Sequence, residues 1–369
     1  MKCLIVGGGI AGLCTATALR DVGCEVDLVE LNASWTVYGV GIIQQSNVVR
    51  AMAQLGLLAE YLGVSAPFEE VRLFEADGQH RATIPQPRLA GPEYPASLGV
   101  SRLALHNVLL AAAKMRGANI RMGVTVSSFE EHAQGLSVDF SDGKNASYDL
   151  LIGCDGAHSG VRALLFGADS KPRLTGQSVW RYSFPRPGDS NYVGVYYGPR
   201  GNAGIVPMSH TQSYLFVTTK EPPHTRIRHE ELAEQMRERL SDFGGPVADV
   251  REMITENDGV VYRPLETIFC EQWSRGRVLL LGDAVHTMTP HLGQGAGMAI
   301  EDAVVLGQEL SKPGPLAEQI ARFLARRVER CRKVTHFSVQ TGEWEIENSH
   351  HAERFAMVRE VLEVTAQPI

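Results

Sequence analysis

The sequence predicts a mixed α/β fold in which a parallel sheet flanked by helices is interrupted by an inserted antiparallel sheet and followed by C-terminal helices. Three stretches predict it. "KCLIVGGGIAGLCTATALRDVGCEVDLVE" (2–30) reads as strand, glycine turn, helix and strand. Between 175 and 220, "GQSVWRYSFPRP", "NYVGVYYGPRGNAGIVPMS" and "SYLFVTTK" alternate aromatic or β-branched residues with polar ones, the period of half-buried strands. In "VLLLGDAVHTMTPHLGQGAGMAIED" (278–302) an apolar strand stops at Gly282-Asp283, a Pro-punctuated turn follows, and glycines open an amphipathic helix.

The chain of 369 residues is long enough for two domains, and its 44% hydrophobic and 21% charged content is that of an ordinary globular protein. A net charge of −7 argues against a general nucleic-acid binder. The six cysteines (Cys3, Cys14, Cys24, Cys154, Cys270, Cys331) form no C-x-x-C pair and read as reduced thiols, neither a disulfide framework nor a zinc site. The chain passes from Met1 directly into a strand, and no apolar run approaches the ~18 residues of a membrane span, so a cytoplasmic protein with no membrane or nucleic-acid partner is expected.

In order along the chain, Cys3–Val6 form a buried strand, and Gly7, Gly9 and Gly12 supply G-x-G-x-x-G. The first glycine permits a tight turn, the second lets the backbone, with Ile10 and Ala11, approach a pyrophosphate, and the third packs helix against strand. Ala16 and Leu19 continue the inner helix face, Gly23 ends it, and the strand Val26–Val29 leads to Glu30, placed to meet ribose hydroxyls. The acid disfavours a 2′-phosphate, leaving NAD or FAD at this Rossmann-like unit. A Gly-bearing loop within residues 34–45 precedes a helix from about Ser46 to Leu55, and a Pro-rich, strand-like excursion runs from Pro67 to Pro95. A helix begins after Ser101 with Leu105, Leu109, Ala112 and Ala113 on one face and Arg102 at its start. The buried strand Leu150–Cys154 leads to Asp155-Gly156, then to Ser159 and Arg162 on a new helix.

Together these motifs make the chain resemble the FAD-dependent aromatic hydroxylases, single-component flavoprotein monooxygenases of the p-hydroxybenzoate and salicylate hydroxylase type. G-x-G-x-x-G with its acid (Gly7, Gly9, Gly12, Glu30), D-G-x-x-S-x-x-R (Asp155, Gly156, Ser159, Arg162) and G-D (Gly282, Asp283), followed by Pro290 and G-Q-G-x-G, occur in the family's order from residue 2 to about 310. The resemblance implies noncovalent FAD, its ADP half on the N-terminal unit and its ribityl chain on Asp283. Pro290, Gly293, Gly295 and Ala296 would meet the pyrimidine edge of the isoalloxazine, where a helix N-terminus suits the anionic reduced ring. Arg102 matches the family's R-x-x-L arginine, which reaches the phosphate or ribityl side. Asp155 and Arg162 would contact the diphosphate region or, equally, form a structural salt bridge.

The implied fold is a Rossmann-like FAD-binding domain (1–66, 97–172 and 265–345), an inserted antiparallel substrate-binding sheet (67–96 and 173–264) covered by the helix "HEELAEQMRERLSDFG", and a C-terminal helix (346–369). The C-terminal stretch carries no motif, and its helical periodicity suggests simple packing. One sheet face must roof the flavin, and Trp180, Arg181, Tyr196, Met208, His210 and Tyr214 are its candidates. His291 sits at the flavin edge, where a neutral imidazole takes a phenolic proton or binds a substrate carboxylate; alternatively it is a helix-opening residue facing solvent. His210 and Tyr214 are the other candidate bases, and His286 reads as structural.

The implied reaction hydroxylates a small electron-rich aromatic or heteroaromatic ring through a flavin C4a-hydroperoxide. NADH or NADPH is the transient reductant, O2 the co-substrate, and the enzyme a monomer or homodimer. No H-E-x-x-H or similar group suggests a metal. A halogenase is disfavoured because its W-x-W-x-I-P signature is missing and Trp180 stands alone in W-R-Y-S-F. A reductase of the same fold that inserts no oxygen, or a non-catalytic flavin-binding protein, remains the alternative.

Overall fold

The computed structural model describes residues 1–35, 39–188, 190–222, 224–349 and 351–369; part of the Gly-bearing loop expected before Ser46 lies outside them. The mixed α/β architecture with an inserted sheet and C-terminal helices is as expected.

A six-stranded sheet has the spatial order Ser274–Arg275, Val278–Leu280, Leu150–Gly153, Lys2–Val6, Glu25–Glu30, Asn119–Met122, and only its first pair is antiparallel. The short, mostly apolar central strands suit a sheet covered on both faces. Register aligns the strand ends. Val6 pairs with Gly153 and with Val29, and Gly153 pairs with Leu280, so the strands end together and the loops carrying Gly7, Glu30, Gly156 and Asp283 leave one edge. That carboxyl edge is where open α/β sheets bind ligands.

The helix Ile10–Asp21 packs against the helix Gly295–Leu310, and both bury apolar faces in the main core. Gly307 allows the approach: a Cβ there would lie 3.1 Å from that of Ala18. The helix Arg102–Met115 buries Leu105, Leu109, Ala112 and Ala113 as its periodicity predicted, capped by the Ser101 hydroxyl accepting from the Ala104 N–H.

A seven-stranded sheet has the order Val260–Thr267, Arg173–Pro185, Gln212–Lys220, Gly201–Pro207, Tyr192–Gly198, Glu70–Glu75, His80–Pro85. It is antiparallel except where Tyr192–Gly198 meets Glu70–Glu75, so the early excursion and the later insert form one sheet. One face carries a core of Trp180, Tyr196, Leu215 and Val217 under the helices Leu232–Arg239 and Gly245–Met253. The other turns toward the six-stranded sheet. A three-stranded sheet (Gly41–Gln44, Ser97–Ser101, Ser65–Phe68) joins the two, with Gly99 so close that a Cβ would stand 1.8 Å from the Pro207 carbonyl oxygen. The long helix Leu316–Ile346 and the helix His351–Ala366 close the structure. Among the described residues no helix is long and apolar enough to cross a membrane.

Candidate active site

The first glycine turn leaves no room for side chains where it must be tight and open space where a ligand would lie. Gly7 has φ of +104°, and a Cβ on it would stand 2.4 Å from the Cys154 carbonyl oxygen. A Cβ on Gly12 would stand 1.9 Å from the Gly7 carbonyl oxygen, so this glycine sets the helix on its strand. At Gly9 nothing lies within 4 Å. No side chain caps this helix, so the amides of its first turn face a cavity lined by Gly9, Ile10 and Ala11. Glu30 also lines it, accepting the Gly8 N–H at 2.8 Å and the Asn32 N–H at 2.9 Å. Two residues the motif does not reveal complete this end. Trp35 lies over Gly8, and His106, 4.8 Å from the indole between ring centroids, has Nε2 3.2 Å from the Gly8 carbonyl oxygen. Burial pushes the His106 pKa down, with the Gly8 carbonyl and Glu30 opposing.

The second glycine turn reaches the same cavity. Gly282 has φ of +60°, and its N–H donates to Asp302 Oδ2 at 3.1 Å. Asp302 also meets His286 Nε2 at 2.7 Å and accepts from Arg327 Nε at 2.8 Å, while Arg327 Nη1 reaches Glu301 at 2.7 Å. All four side chains are fully buried, so this network anchors the G-D turn from beneath. His286, Asp302 and Cys331 could in geometry surround an ion, but the Arg327 guanidinium already balances the carboxylates and lies 3.4 Å from the Cys331 sulfur. Asp283 is open to the cavity although protein rings it; that enclosure raises its carboxyl pKa, with His286 and Arg102 opposing. A Cβ on Gly282 would lie 3.0 Å from Ala11 and 3.2 Å from Ala299, so the two uncapped helix N-termini open side by side. Pro290, Gly293, Gly295 and Ala296 line the wall, and Gln45 Nε2 holds the Leu292 carbonyl at 2.8 Å.

Arg102 lines the cavity against Gly39, and its buried Nε has no hydrogen-bond partner among the described residues. Asp155 differs from expectation. Its carboxylate accepts from the Ser159 hydroxyl and the Val161 N–H, within its own loop, and burial raises its pKa; Cys154 and Gly156 line the cavity instead. Nor does Asp155 pair with Arg162, whose guanidinium donates to the carbonyls of Ala157, Ser170 and Ala284. The D-G-x-x-S-x-x-R segment holds its own fold.

The cavity, about 770 Å³, continues to the inner face of the seven-stranded sheet. Of the six candidates for that face, Arg181 and Tyr214 line it. Trp180 and Tyr196 point the other way into the second core, because adjacent strand residues alternate faces. Met208 is buried with Phe68 and Tyr214, behind the wall. His210 is exposed in the turn before Gln212–Lys220, away from the cavity, and so cannot serve as its base. Burial lowers the Arg181 pKa to about 10 and raises that of Tyr214 to about 12.

His291 lines the cavity with its side chain only 3% exposed, which excludes the solvent-facing alternative. Neither ring nitrogen has a hydrogen-bond partner, and burial, reinforced by Arg354, lowers its pKa to about 3. The C-terminal helices are more than packing. Thr341 and Glu345 from the long helix, and Arg354, Phe355 and Val358 from the last, form part of the wall.

The whole layout has known counterparts. The model of the FAD binding domain family matches residues 1–334. The chain is 31% identical over 348 residues to the aurachin C monooxygenase/isomerase of Stigmatella aurantiaca, covering 93% of this chain and 90% of that protein. It is 32% identical to an FAD-dependent urate hydroxylase of Klebsiella pneumoniae, over 90% of this chain and 87% of the other. Among solved structures, Klebsiella pneumoniae HpxO complexed with FAD and uric acid superposes with a TM-score of 0.86 at 25% identity, covering 100% of this chain and 97% of that one.

Proposed function

Since the chain belongs to the FAD binding domain family, we propose that it is an FAD-dependent monooxygenase that consumes NADH or NADPH and O2 to hydroxylate a small electron-rich aromatic or heteroaromatic ring. One observation carries this reading: a single cavity runs from the two uncapped helix N-termini to the inner face of the seven-stranded sheet, so cofactor and substrate share one enclosure.

The residues fit the cofactor. The open space at Gly9 and the first-turn amides suit its diphosphate, Glu30 and Asp283 suit sugar and ribityl hydroxyls, and Arg102 brings a donor left without a partner among the described residues to the same cavity. The amides at Gly295 and Ala296 suit an electron-rich ring edge. Bound FAD supplies hydride acceptance and oxygen activation. The protein positions the ring and excludes water with Val179, Val193, Val195 and Phe216. Arg181 has no carboxylate partner among the described residues, so its guanidinium is free to attract an ionised ring oxygen. His291, neutral and without a hydrogen-bond partner among the described residues, is a polar group on the 290–296 wall.

The test is oxygen uptake by FAD-loaded protein with NADH or NADPH against a panel of phenols and hydroxylated N-heteroaromatics. At least one ring should accelerate both oxygen and nicotinamide consumption and leave as a hydroxylated product. Ring-dependent nicotinamide oxidation without oxygen uptake would instead identify a reductase, and no ring dependence at all a non-catalytic flavoprotein.

A further inference from the structure

The wall beside the 290–296 turn holds a carboxylate that no motif contains. Glu345 projects from the long C-terminal helix, its side chain 5% exposed, and is fixed from three strands of the sheet. The Thr218 hydroxyl donates to Oε1, with Gln177 Nε2 at 3.5 Å from the same atom, and Asn202 Nδ2 donates to Oε2 at 2.5 Å. Oε2 also lies 3.6 Å from Arg354 Nη2 and 3.9 Å from His291 Nε2. The helix makes room for this meeting at Gly342, where a Cβ would stand 2.6 Å from His291 Cε1. A carboxylate held so firmly, yet lining the cavity, has a fixed direction in which to accept a proton.

We infer that Glu345 is the catalytic base that takes the ionisable O–H or N–H proton of a hydroxylated or lactam-type ring, with the neutral His291 beside it; this rests on the monooxygenase reading above. The ring O–H or N–H bond breaks, its electron pair stays on the ring, and the proton forms an O–H bond at Glu345. The ring anion is left in a cavity that also holds Arg181, and Glu345 returns the proton to solvent once the product has left.

Acidity supports the assignment. The groups facing Glu345 are Arg354 from the last helix, His291 from the 290–292 turn, Tyr197 from the sheet, and the neutral side chains of Gln177, Asn202 and Thr218. Burial raises the Glu345 carboxyl to about 7, although Thr218, Arg354 and Asn202 oppose it, whereas His291 stands near 3. A base titrating near neutrality is matched to its task; an imidazole so hard to protonate serves better as a hydrogen-bond partner.

The decisive variants are Glu345→Gln, which keeps the shape, and Glu345→Asp, which keeps the charge and guards against misfolding. With the ring that drives oxygen uptake best in the wild type, kcat/KM against pH should show an acid limb near 7. Glu345→Gln should bind FAD normally, lose that limb, and form product about a hundredfold more slowly or worse. A fluorinated ring already ionised at the assay pH should restore most of that loss, and Glu345→Asp should keep the limb at reduced rate. Difference infrared spectra should show a protonated carboxyl band that titrates near neutrality and vanishes in Glu345→Gln. Normal product formation with the limb intact in Glu345→Gln, or no rescue by the pre-ionised ring, would overturn the assignment alone. If no ring drives oxygen uptake in the wild type, the monooxygenase reading falls and this assignment with it.

Discussion

The two ends of the cavity are built from different materials. On the function proposed, the cofactor end offers main-chain amides at two helix N-termini, the first set by Gly7 and Gly12, whose neighbours leave no space for a Cβ. The substrate end offers side chains, Arg181, Tyr214, His291, Glu345 and Arg354, converging from two sheet strands, one turn and two C-terminal helices. A cofactor of constant shape is met by rigid backbone, whereas a ring that differs among relatives is met by groups that single substitutions can change. Perturbations should therefore separate. Damage at the cofactor end should act on folding and FAD retention, and damage at the substrate end on turnover and pH dependence.

The largest effect is expected from Arg327→Ala. It removes the buried cation between Glu301 and Asp302, and with it the support of the Gly282 turn. Breaking such a pair costs about 3 to 5 kcal/mol, so the urea midpoint should fall sharply and FAD should be lost on purification. An unchanged midpoint would show that the network does not hold the cofactor end together.

At the other end, Glu345→Gln should stabilise the protein at alkaline pH. The folded carboxyl is raised from its ordinary 4.5 to about 7, so its contribution is present below the unfolded pKa and fades as pH rises between those values. The variant should match the wild type at pH 4 and exceed it at pH 8, by about 3 kcal/mol, in parallel denaturation curves. Equal curves at both pH values would mean that the buried carboxylate carries no penalty.

Next in size are Glu30→Ala and Asp283→Ala, each removing a charged acceptor from the cofactor end. Each should weaken FAD binding by about 1.5 to 3 kcal/mol, read by flavin fluorescence on titration, with little change in folding. Retained affinity in both would remove these two residues from the cofactor site. The smallest expected effect is that of His210→Ala, an exposed turn residue, within about 0.5 kcal/mol in stability and without change in coupling.

The same contrast explains what could be read from the chain alone. That Gly9, Glu30, Asp283 and the 290–296 turn stand around one cavity was legible, because glycine turns after parallel strands dictate residue type at fixed spacing. The sheet face was not, because register decides it: Trp180 pairs with Val217 while Arg181 pairs with Phe216, and neighbours on a strand face opposite sides. Placing Trp180 and Arg181 on one face therefore failed for Trp180. Asp155 sat in a recognisable motif, but its hydrogen bonds turn inward, a choice no spacing reveals. The contribution of the C-terminal helices was invisible, since periodicity identifies a packed face without identifying what it meets. The one available hint was Gly342 inside a 31-residue helix, a residue poor for helices that marks a close approach, here of His291.

If cofactor and ring share one cavity as proposed, oxygen from O2 enters the ring. Turnover under 18O2, with the ring that best drives oxygen uptake and mass analysis of the product, tests it most directly. One labelled oxygen atom per product ring is predicted; unlabelled product, or a ring reduced rather than hydroxylated, would contradict it.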